Sequence, residues 1–369
     1  MGSESKGGGA AGAALFVLPK ADRIGGAERV TITAAVGAAR SGRFEEVVLL
    51  VLTGGRGAAE AVPYDVEGLR VVHLGARAIR WSVLAWARFA HQRRWSLAFS
   101  SFLDVNALSC LLRRTGALRT DVLVTRESTM VFERDFGRWT RVVRGLYWLY
   151  GSQDRIVCQT STMASSLIAN VRTRLADKVV VVPNPVSDAL IARHEGAKNH
   201  SRSTRIAWCG RLAPVKSPER ALTALARLHA DGRTDVELAI VGDGPLLERL
   251  ERQSVELGIE GSVEFHGHLD RPADVLETCA VGLVTSDVEG FPNVILEMLA
   301  AGVGSVVTTD CAGDLRGLPG VVVTEDPGAE TLAEALRAGF ERPRVDAEVA
   351  ELLRSRAPGA FVQRMQEGL

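Results

Sequence analysis

The sequence predicts an α/β protein of two doubly wound parallel-sheet domains, and three observations carry that prediction. Short β-branched and aliphatic runs alternate with longer helix-period stretches throughout the 369 residues, a pattern that calls for parallel sheets covered by helices on both faces. The alternation breaks once, at Pro183-Asn184-Pro185 and the polar stretch running on to Thr204, and then restarts. The length suits two cores of ordinary size better than one.

In chain order, residues 1–13 are rich in Gly, Ala and Ser and lack the basic start and long apolar region of a signal peptide; they read as a flexible tail. Strands are expected at 14–18, 47–51, 71–73, 97–100, 122–125, 155–159 and 179–182, with helix-period stretches at 27–40, 82–94, 105–114 and 142–150. This makes a first domain of residues 14–187. Two prolines and the loss of periodicity then read as a linker. A second domain of residues 188–345 follows, with strands at 206–209, 237–241, 263–265, 282–285, 305–308 and 320–323. Its helices are expected at 218–230, 245–257, 273–279 and 293–301, and residues 346–369 read as a C-terminal helix packing back on the first domain. In open sheets of this kind ligands bind beyond the carboxyl ends of the strands, so two such domains are expected to face an interdomain cleft.

Composition excludes several classes. With 46% hydrophobic and 24% charged residues the chain is ordinarily globular, and no apolar run approaches the roughly 18–20 residues that span a bilayer. Five scattered cysteines without a Cys-x-x-Cys pair read as reduced thiols of a cytoplasmic protein, not a zinc site. The halves differ in charge: residues 1–187 hold 25 Lys/Arg against 15 Asp/Glu, and the remainder 19 against 29. A first half near +10 suits an anionic partner. The acidic second half and the absence of a recognition module argue against nucleic acid.

The richest stretch for chemistry runs from Ser286 to Gly302. A strand ends, an acidic-glycine turn follows, and a helix is expected from Pro292, a residue suited to the first helical position. Backbone amides of Gly290, Phe291, Asn293 and Val294, with the helix dipole, would form an anion site fit for a diphosphate. Carboxylates there would repel phosphate, so Glu289 and Glu297 are expected to bind hydroxyls, which sugar and ribose rings offer. After the strand at 206–209, Gly210 permits close approach, and Arg211 with Lys216 would bring two positive charges to one diphosphate. Val241-Gly242-Asp243-Gly244-Pro245 closes the next strand, with Gly242 in a tight turn. His268 and Leu269 lie in the loop after the strand at 263–265, where backbone hydrogen bonds to a nucleobase are expected; the His266/His268 spacing has no third ligand nearby, so no metal is expected. Near the amino terminus, Gly25 and Gly26 would let backbone amides approach the transferred sugar or phosphate. The dinucleotide fingerprint Gly-x-Gly-x-x-Gly is missing, which argues against a nicotinamide enzyme.

Taken in order, Gly-Gly-Ala-Glu at 25–28, Gly-Arg-Leu-x-x-x-Lys at 210–216, Gly-Asp-Gly-Pro at 242–245 and the Glu-x7-Glu pair 289/297 resemble glycosyltransferase family 4, whose fold is GT-B. The resemblance covers nearly the whole chain and is strongest over 206–312. It implies retaining transfer from a nucleotide-sugar without a cofactor or essential metal. It also implies that Arg211 and Lys216 bind the donor diphosphate, Glu289 and the 291–294 backbone the sugar, Glu297 the ribose, and the His268 loop the base. Catalytic roles therefore fall on Glu289, Arg211 and Lys216. Two positions depart from the family pattern: Ser217 stands where Gly is usual, and Arg126-Glu127-Ser128 stands where many relatives carry a His. Arg126 and Glu127 are thus acceptor-side candidates, similar to a subset acting on lipid-linked or polysaccharide acceptors.

The expected donor is a UDP-sugar, with a GDP-sugar second, and the expected acceptor is a glycan or lipid-linked glycan. Arg77, Arg80, Arg88, Arg93 and Arg94 interleave with Trp81, Trp86, Phe89 and Trp95, and Arg134, Arg138, Arg141 and Arg144 with Trp139 and Trp148. Such segments suit an anionic membrane surface, placing the protein on the inner face of the membrane, and equally suit core aromatics beneath solvated arginines. A GT-B epimerase or hydrolase and a catalytically silent donor-binding subunit stay open as alternatives.

Overall fold

Thirteen strands form among the residues that the structure, a computed structural model, describes, namely 12–21, 24–54, 65–197 and 203–369. In the first sheet β1 (Ala13–Lys20), β2 (Glu46–Thr53), β3 (Leu69–Ala76), β4 (Trp95–Ser101), β5 (Thr120–Arg126), β6 (Arg155–Cys158) and β7 (Val179–Val181) run parallel in the order 3-2-1-4-5-6-7. The second holds β8 (Arg205–Cys209), β9 (Glu237–Val241), β10 (Val263–Gly267), β11 (Val281–Val284), β12 (Ser305–Thr309) and β13 (Val321–Thr324), also parallel, in the order 10-9-8-11-12-13. Each order reverses once, between β1 and β4 and between β8 and β11. These reversals are the switch points where ligands of doubly wound sheets sit.

The strands are apolar because both faces of each sheet are covered. In β1 every residue from Ala13 to Pro19 is buried, and in β2 every residue from Val47 to Leu52. Two compact units result, one of residues 1–185 and 356–369, the other of 186–355. Of the expected tail, residues 1–11 lie outside the described residues, while Ala13 already belongs to β1.

Two expectations are corrected. The stretch after Pro185, expected as linker, contains the helix Asp188–Glu195, capped by Ser187, whose hydroxyl accepts from the Leu190 N–H. It belongs to the second unit, where both ring nitrogens of His194 meet backbone oxygens of Leu299 and Asp346. Residues 346–369, expected as one helix, form two. Asp346–Ser355 packs in the second unit and Pro358–Arg364 in the first. The latter helix buries Phe361, Val362 and Met365, with Phe361 edge-on to Phe99 at 6.1 Å. Its close seat on the helix Gly26–Arg40 requires Gly37, since a Cβ there would stand 2.5 Å from Pro358 Cβ.

Candidate active site

At the switch point of the second sheet, β8 and β11 are hydrogen-bonded neighbours, so the loops that leave their carboxyl ends meet. The loop after β8 carries Gly210 and Arg211 into a single 3-10 turn, Pro214–Lys216. The loop after β11 carries Thr285 to Gly290. Their side chains interlock. Lys216 Nζ donates to Glu289 Oε1, which also accepts from Ser286 Oγ at 2.8 Å. Asp287 accepts from Ser217 Oγ at 2.9 Å and pairs with Arg220 at 2.7 Å. Thr285 Oγ1 donates to the Lys216 carbonyl at 2.9 Å and accepts from Trp208 Nε1 at 2.9 Å. The Glu289 N–H in turn donates to the Cys311 carbonyl at 2.7 Å. Burial, and then the charge of Glu289, push the Cys311 thiol up to about 12, so it stays protonated.

The arrangement of charge differs from the sequence expectation. Arg211 and Lys216 were expected side by side as cations for one diphosphate. In the structure Lys216 engages Glu289, whereas Arg211 is exposed and makes no ion pair among the described residues. Composition could not reveal this pairing, since the two residues are 73 positions apart. Sequence reading also missed Asp287, Arg220 and Ser286, which hold the two loops together. Ser217 stands where the family pattern has Gly. It sits at φ +44°, ψ +51°, a left-handed conformation that favours glycine, and its hydroxyl offsets that strain by donating to Asp287 at 2.9 Å, with the Pro214 carbonyl also in reach at 3.1 Å.

Beyond Glu289, Gly290, Phe291 and Pro292 are buried, and Asn293 and Val294 half-buried. The helix itself is Val294–Ala300, inside the expected 293–301, with Asn293 at its amino-terminal cap. Phe291 packs in the core with Ile295 and Leu296, which fixes how the turn enters the helix. Glu297, in the first turn, is half-buried.

Gly242 has a structural reason to be glycine. At φ +138° a Cβ would stand 1.9 Å from the Gly210 carbonyl oxygen. Gly244 is similar, at 2.4 Å from the Leu212 oxygen. The turn after β9 therefore packs backbone to backbone against the turn that carries Arg211, with the Gly210 N–H donating to Val241 O at 2.9 Å and the Leu212 N–H to Asp243 O at 3.0 Å. Past β10, His268 is exposed and Leu269 half-buried. No cluster of three or more His, Cys, Asp or Glu poised for a metal occurs among the described residues.

In the first unit Gly25 caps the helix Gly26–Arg40. A Cβ at Gly25 would stand 3.0 Å from the carboxylate of Glu28, three residues into the turn. Arg126 and Glu127, expected to face an acceptor, are instead each 1% exposed. Arg126 donates to Ser101 Oγ at 3.0 Å and to Asn184 Oδ1 at 2.6 Å. Glu127 accepts from the phenols of Tyr147 (2.9 Å) and Tyr150 (2.8 Å). Asn106 ties the two together, its amide donating to the Arg126 carbonyl at 2.9 Å while its oxygen accepts from Ser100 Oγ at 2.9 Å. Burial draws the Arg126 guanidinium down to about 10 and pushes the Glu127 carboxyl up. The pair forms an internal frame at the ends of β4 and β5, in which the Arg126 Nε alone of the guanidinium nitrogens has no hydrogen-bond partner among the described residues.

The arginine- and tryptophan-rich segments divide in two. Trp86 and Trp95 are core residues. Trp81, Leu84, Trp139, Val142 and Trp148 stand 56–73% exposed, and Arg80, Arg138 and Arg172 lie over the rings of Trp81, Trp139 and Trp148. The crossovers β3 to β4 and β5 to β6 step the same way along the sheet, and the right-handed rule for parallel crossovers assigns both connecting segments to the same face of that sheet. No helix among the described residues is long and apolar enough to cross a membrane.

Comparison with known proteins agrees with this architecture. The chain is 26% identical over 203 residues to the GalNAc-alpha-(1->4)-GalNAc-alpha-(1->3)-diNAcBac-PP-undecaprenol alpha-1,4-N-acetyl-D-galactosaminyltransferase of Campylobacter jejuni, covering 54% of this chain and 52% of that protein. It is 36% identical over 144 residues to a GDP-mannose-dependent alpha-(1-6)-phosphatidylinositol dimannoside mannosyltransferase of Mycobacterium tuberculosis, 37% of this chain and 35% of that one. The chain thus spans about half or less of the length of these curated relatives. Among solved structures, Anabaena HepE in complex with UDP and glucose superposes with a TM-score of 0.74 at 17% identity, covering 96% of this chain and 98% of that one; the two share the GT-B fold. Residues 24–190 match the model described as Glycosyltransferase Family 4, and residues 203–341 the model described as Glycosyl transferases group 1. With one of these models on each of its two doubly wound domains, the chain belongs to glycosyltransferase family 4.

Proposed function

We propose that the protein transfers a hexose or N-acetylhexosamine from a nucleoside-diphosphate sugar to a lipid-linked or polysaccharide glycan, with retention of anomeric configuration. The observation that carries the reading is the Lys216–Glu289 pair at the switch point of the second sheet. A diphosphate entering there exchanges the carboxylate for its own oxygens as the partner of Lys216, and Arg211 adds a second, already exposed cation. The released Glu289 then faces the hydroxyls of the donor sugar. Glu297 holds the ribose, and the His268–Leu269 loop meets the base. The leaving diphosphate, stabilised by Arg211 and Lys216, accepts the proton of the acceptor hydroxyl as the new bond forms on the face it vacates. Glu289 and Glu297 act as hydroxyl binders, not as the acid–base pair of a hydrolase.

A UDP-sugar is the favoured donor, supported by the UDP-bound structural neighbour; a GDP-sugar comes second, supported by the mycobacterial relative. Both relatives named above act on lipid-linked substrates by their names, which supports an acceptor of that class. The exposed tryptophans and arginines of the first unit supply a surface for anionic lipid, each arginine near such a surface adding about 1 kcal/mol. A thermal-shift screen of UDP-, GDP- and ADP-sugars identifies the donor, and NMR of the product identifies the anomer; an inverted product refutes the mechanism. Co-sedimentation with phosphatidylglycerol vesicles tests the surface: binding lost at high salt and in W81A/W148A is expected, and equal binding by that variant refutes it.

A further inference from the structure

We propose that Phe102 contacts the acceptor, its ring serving as the platform for the apolar C–H face of the acceptor's terminal sugar; this rests on the glycosyl-transfer reading above. Phe102 is the first residue beyond β4, the strand that borders β1 where the order of the first sheet reverses. That end of the sheet is where a ligand of this unit sits. Its backbone is at φ +77°, ψ +135°, outside even the left-handed helical region. Among the described residues only Phe102 and Ser217 combine a side chain with positive φ; every other such position is glycine. A bulky residue there is strained, and glycine would remove the strain.

The surroundings hold that conformation from both sides. On one side Ser101, buried, accepts from Arg126, which is itself fastened to Asn184. On the other the Asn106 N–H donates to the Phe102 carbonyl at 2.8 Å, while the Asn106 side chain bridges Ser100 and the Arg126 carbonyl. Strain of this kind persists where the neighbourhood over-determines it, and it collects at ligand sites. The Arg126 frame thereby acquires a purpose: Arg126 and Asn106 are positioning residues for Phe102. Phe16 and Phe99 of the same sheet are fully buried, whereas Phe102 is half-buried. A half-buried aromatic residue at a switch point suits the C–H face of a sugar, because binding sites are lined by apolar and aromatic surface with a few polar groups.

The test compares the parent with F102G, F102L and F102Y in initial-rate kinetics. The acceptor is whichever of a panel of short polyprenyl-diphosphate-linked N-acetylhexosamine glycans the parent uses, and unfolding midpoints are measured with and without UDP. F102G is expected to raise acceptor KM about tenfold, the loss of one ring contact, with kcat at saturating acceptor and the UDP-induced shift unchanged. F102L should fall between, and F102Y within about twofold of the parent, since it keeps the ring. Unchanged acceptor KM in F102G and F102L overturns the proposal. So does a joint loss of midpoint, UDP shift and kcat in all three, which would make Phe102 a packing residue; both results leave the transfer reading standing. A parent that transfers to none of the panel removes the transfer reading itself, and this inference with it.

Discussion

Replacing Glu289 by Gln should separate two things that the wild-type site combines. Lys216 and Glu289 are 29% and 17% exposed, so water screens their attraction only in part. An exposed pair contributes about 0.2–1 kcal/mol, and breaking a fully buried one costs about 3–5. For this intermediate case a coupling of about 1–2 kcal/mol follows. That energy opposes any ligand that must draw Lys216 away. E289Q keeps the Ser286 hydrogen bond to an oxygen at the same place but removes the charge, so UDP without a sugar should bind up to about tenfold tighter. The same change weakens the hydrogen bonds to donor hydroxyls, where a charged acceptor contributes about 1.5–3 kcal/mol, so kcat/KM for transfer should fall roughly 10- to 100-fold. Titration calorimetry with UDP and initial rates with the UDP-sugar measure the two effects. A urea double-mutant cycle with K216M measures the coupling. Weaker UDP binding by E289Q, or a coupling under about 0.3 kcal/mol, would sink the assignment of Lys216 as an exchangeable partner.

Other substitutions follow from the same geometry. G242A should lose more than about 3 kcal/mol of stability, since a Cβ 1.9 Å from a carbonyl oxygen cannot be absorbed by a side-chain shift. G232A, at φ +90° with nothing within 4 Å, should lose only the backbone strain of roughly 1–2 kcal/mol; similar losses in urea unfolding would refute the argument. S217A and S217G both forfeit the hydroxyl's hydrogen bond, but only S217A keeps the left-handed strain, so S217G should be the more stable of the two by about 1 kcal/mol. R126M should be among the most damaging changes in the first unit, about 2–4 kcal/mol, because it leaves the buried acceptors Ser101 Oγ and Asn184 Oδ1 without their donor. The Glu127 carboxyl lies above its ordinary 4.5, chiefly through burial. Its contribution is therefore complete below 4.5 and is lost as pH rises through the folded value, so the parent should lose stability relative to E127Q as pH rises above 4.5. A difference that stays flat in unfolding between pH 5 and 9 counts against it.

The sheets were legible because an apolar strand buried on both faces needs β-branched runs set off by Gly, Pro and polar punctuation, and those signals are local. Val47–Leu52 or Val179–Val182 announce themselves in a window of six residues. The site was legible as far as its motifs lie next to strand ends, which placed Gly210–Lys216 and Ser286–Glu297 on neighbouring loops. Pairings between distant side chains were not. Arg126-Glu127-Ser128 reads as a polar turn, since nothing local says that Asn184, 58 residues on, and Tyr150, 23 residues on, will enclose it. The helix Asp188–Glu195 had a readable start in Ser187 followed by apolar Leu190 and Ile191, but the two prolines before it outweighed that cue. Helix periodicity likewise could not separate Trp81 from Trp86. Five positions apart on the helix Ile79–His91, one is 69% exposed and the other fully buried.

The two units show how one strand order can hold charge for opposite ends. In the second, Lys216 and Glu289 keep enough access to water to exchange partners, and their loops are tied by neutral hydroxyls and a peripheral Asp287–Arg220 pair. In the first, Arg126 and Glu127 are each 1% exposed and are bonded to Ser101, Asn184, Tyr147 and Tyr150 of the same unit. The strained residues follow the same division. Ser217 lies in the loop after β8 and Phe102 directly after β4, so among the described residues the two side chains at positive φ stand one at each reversal of strand order. Core packing does not ask for strain at these points, because glycine would satisfy the backbone in both. Ser217 answers its strain locally, with a hydroxyl bonded to Asp287. Phe102 has no polar group with which to do so, and the bonds that hold its neighbourhood are made by Ser101, Arg126 and Asn106. That asymmetry makes the first switch point a place where the chain keeps a ring for contact with something outside itself.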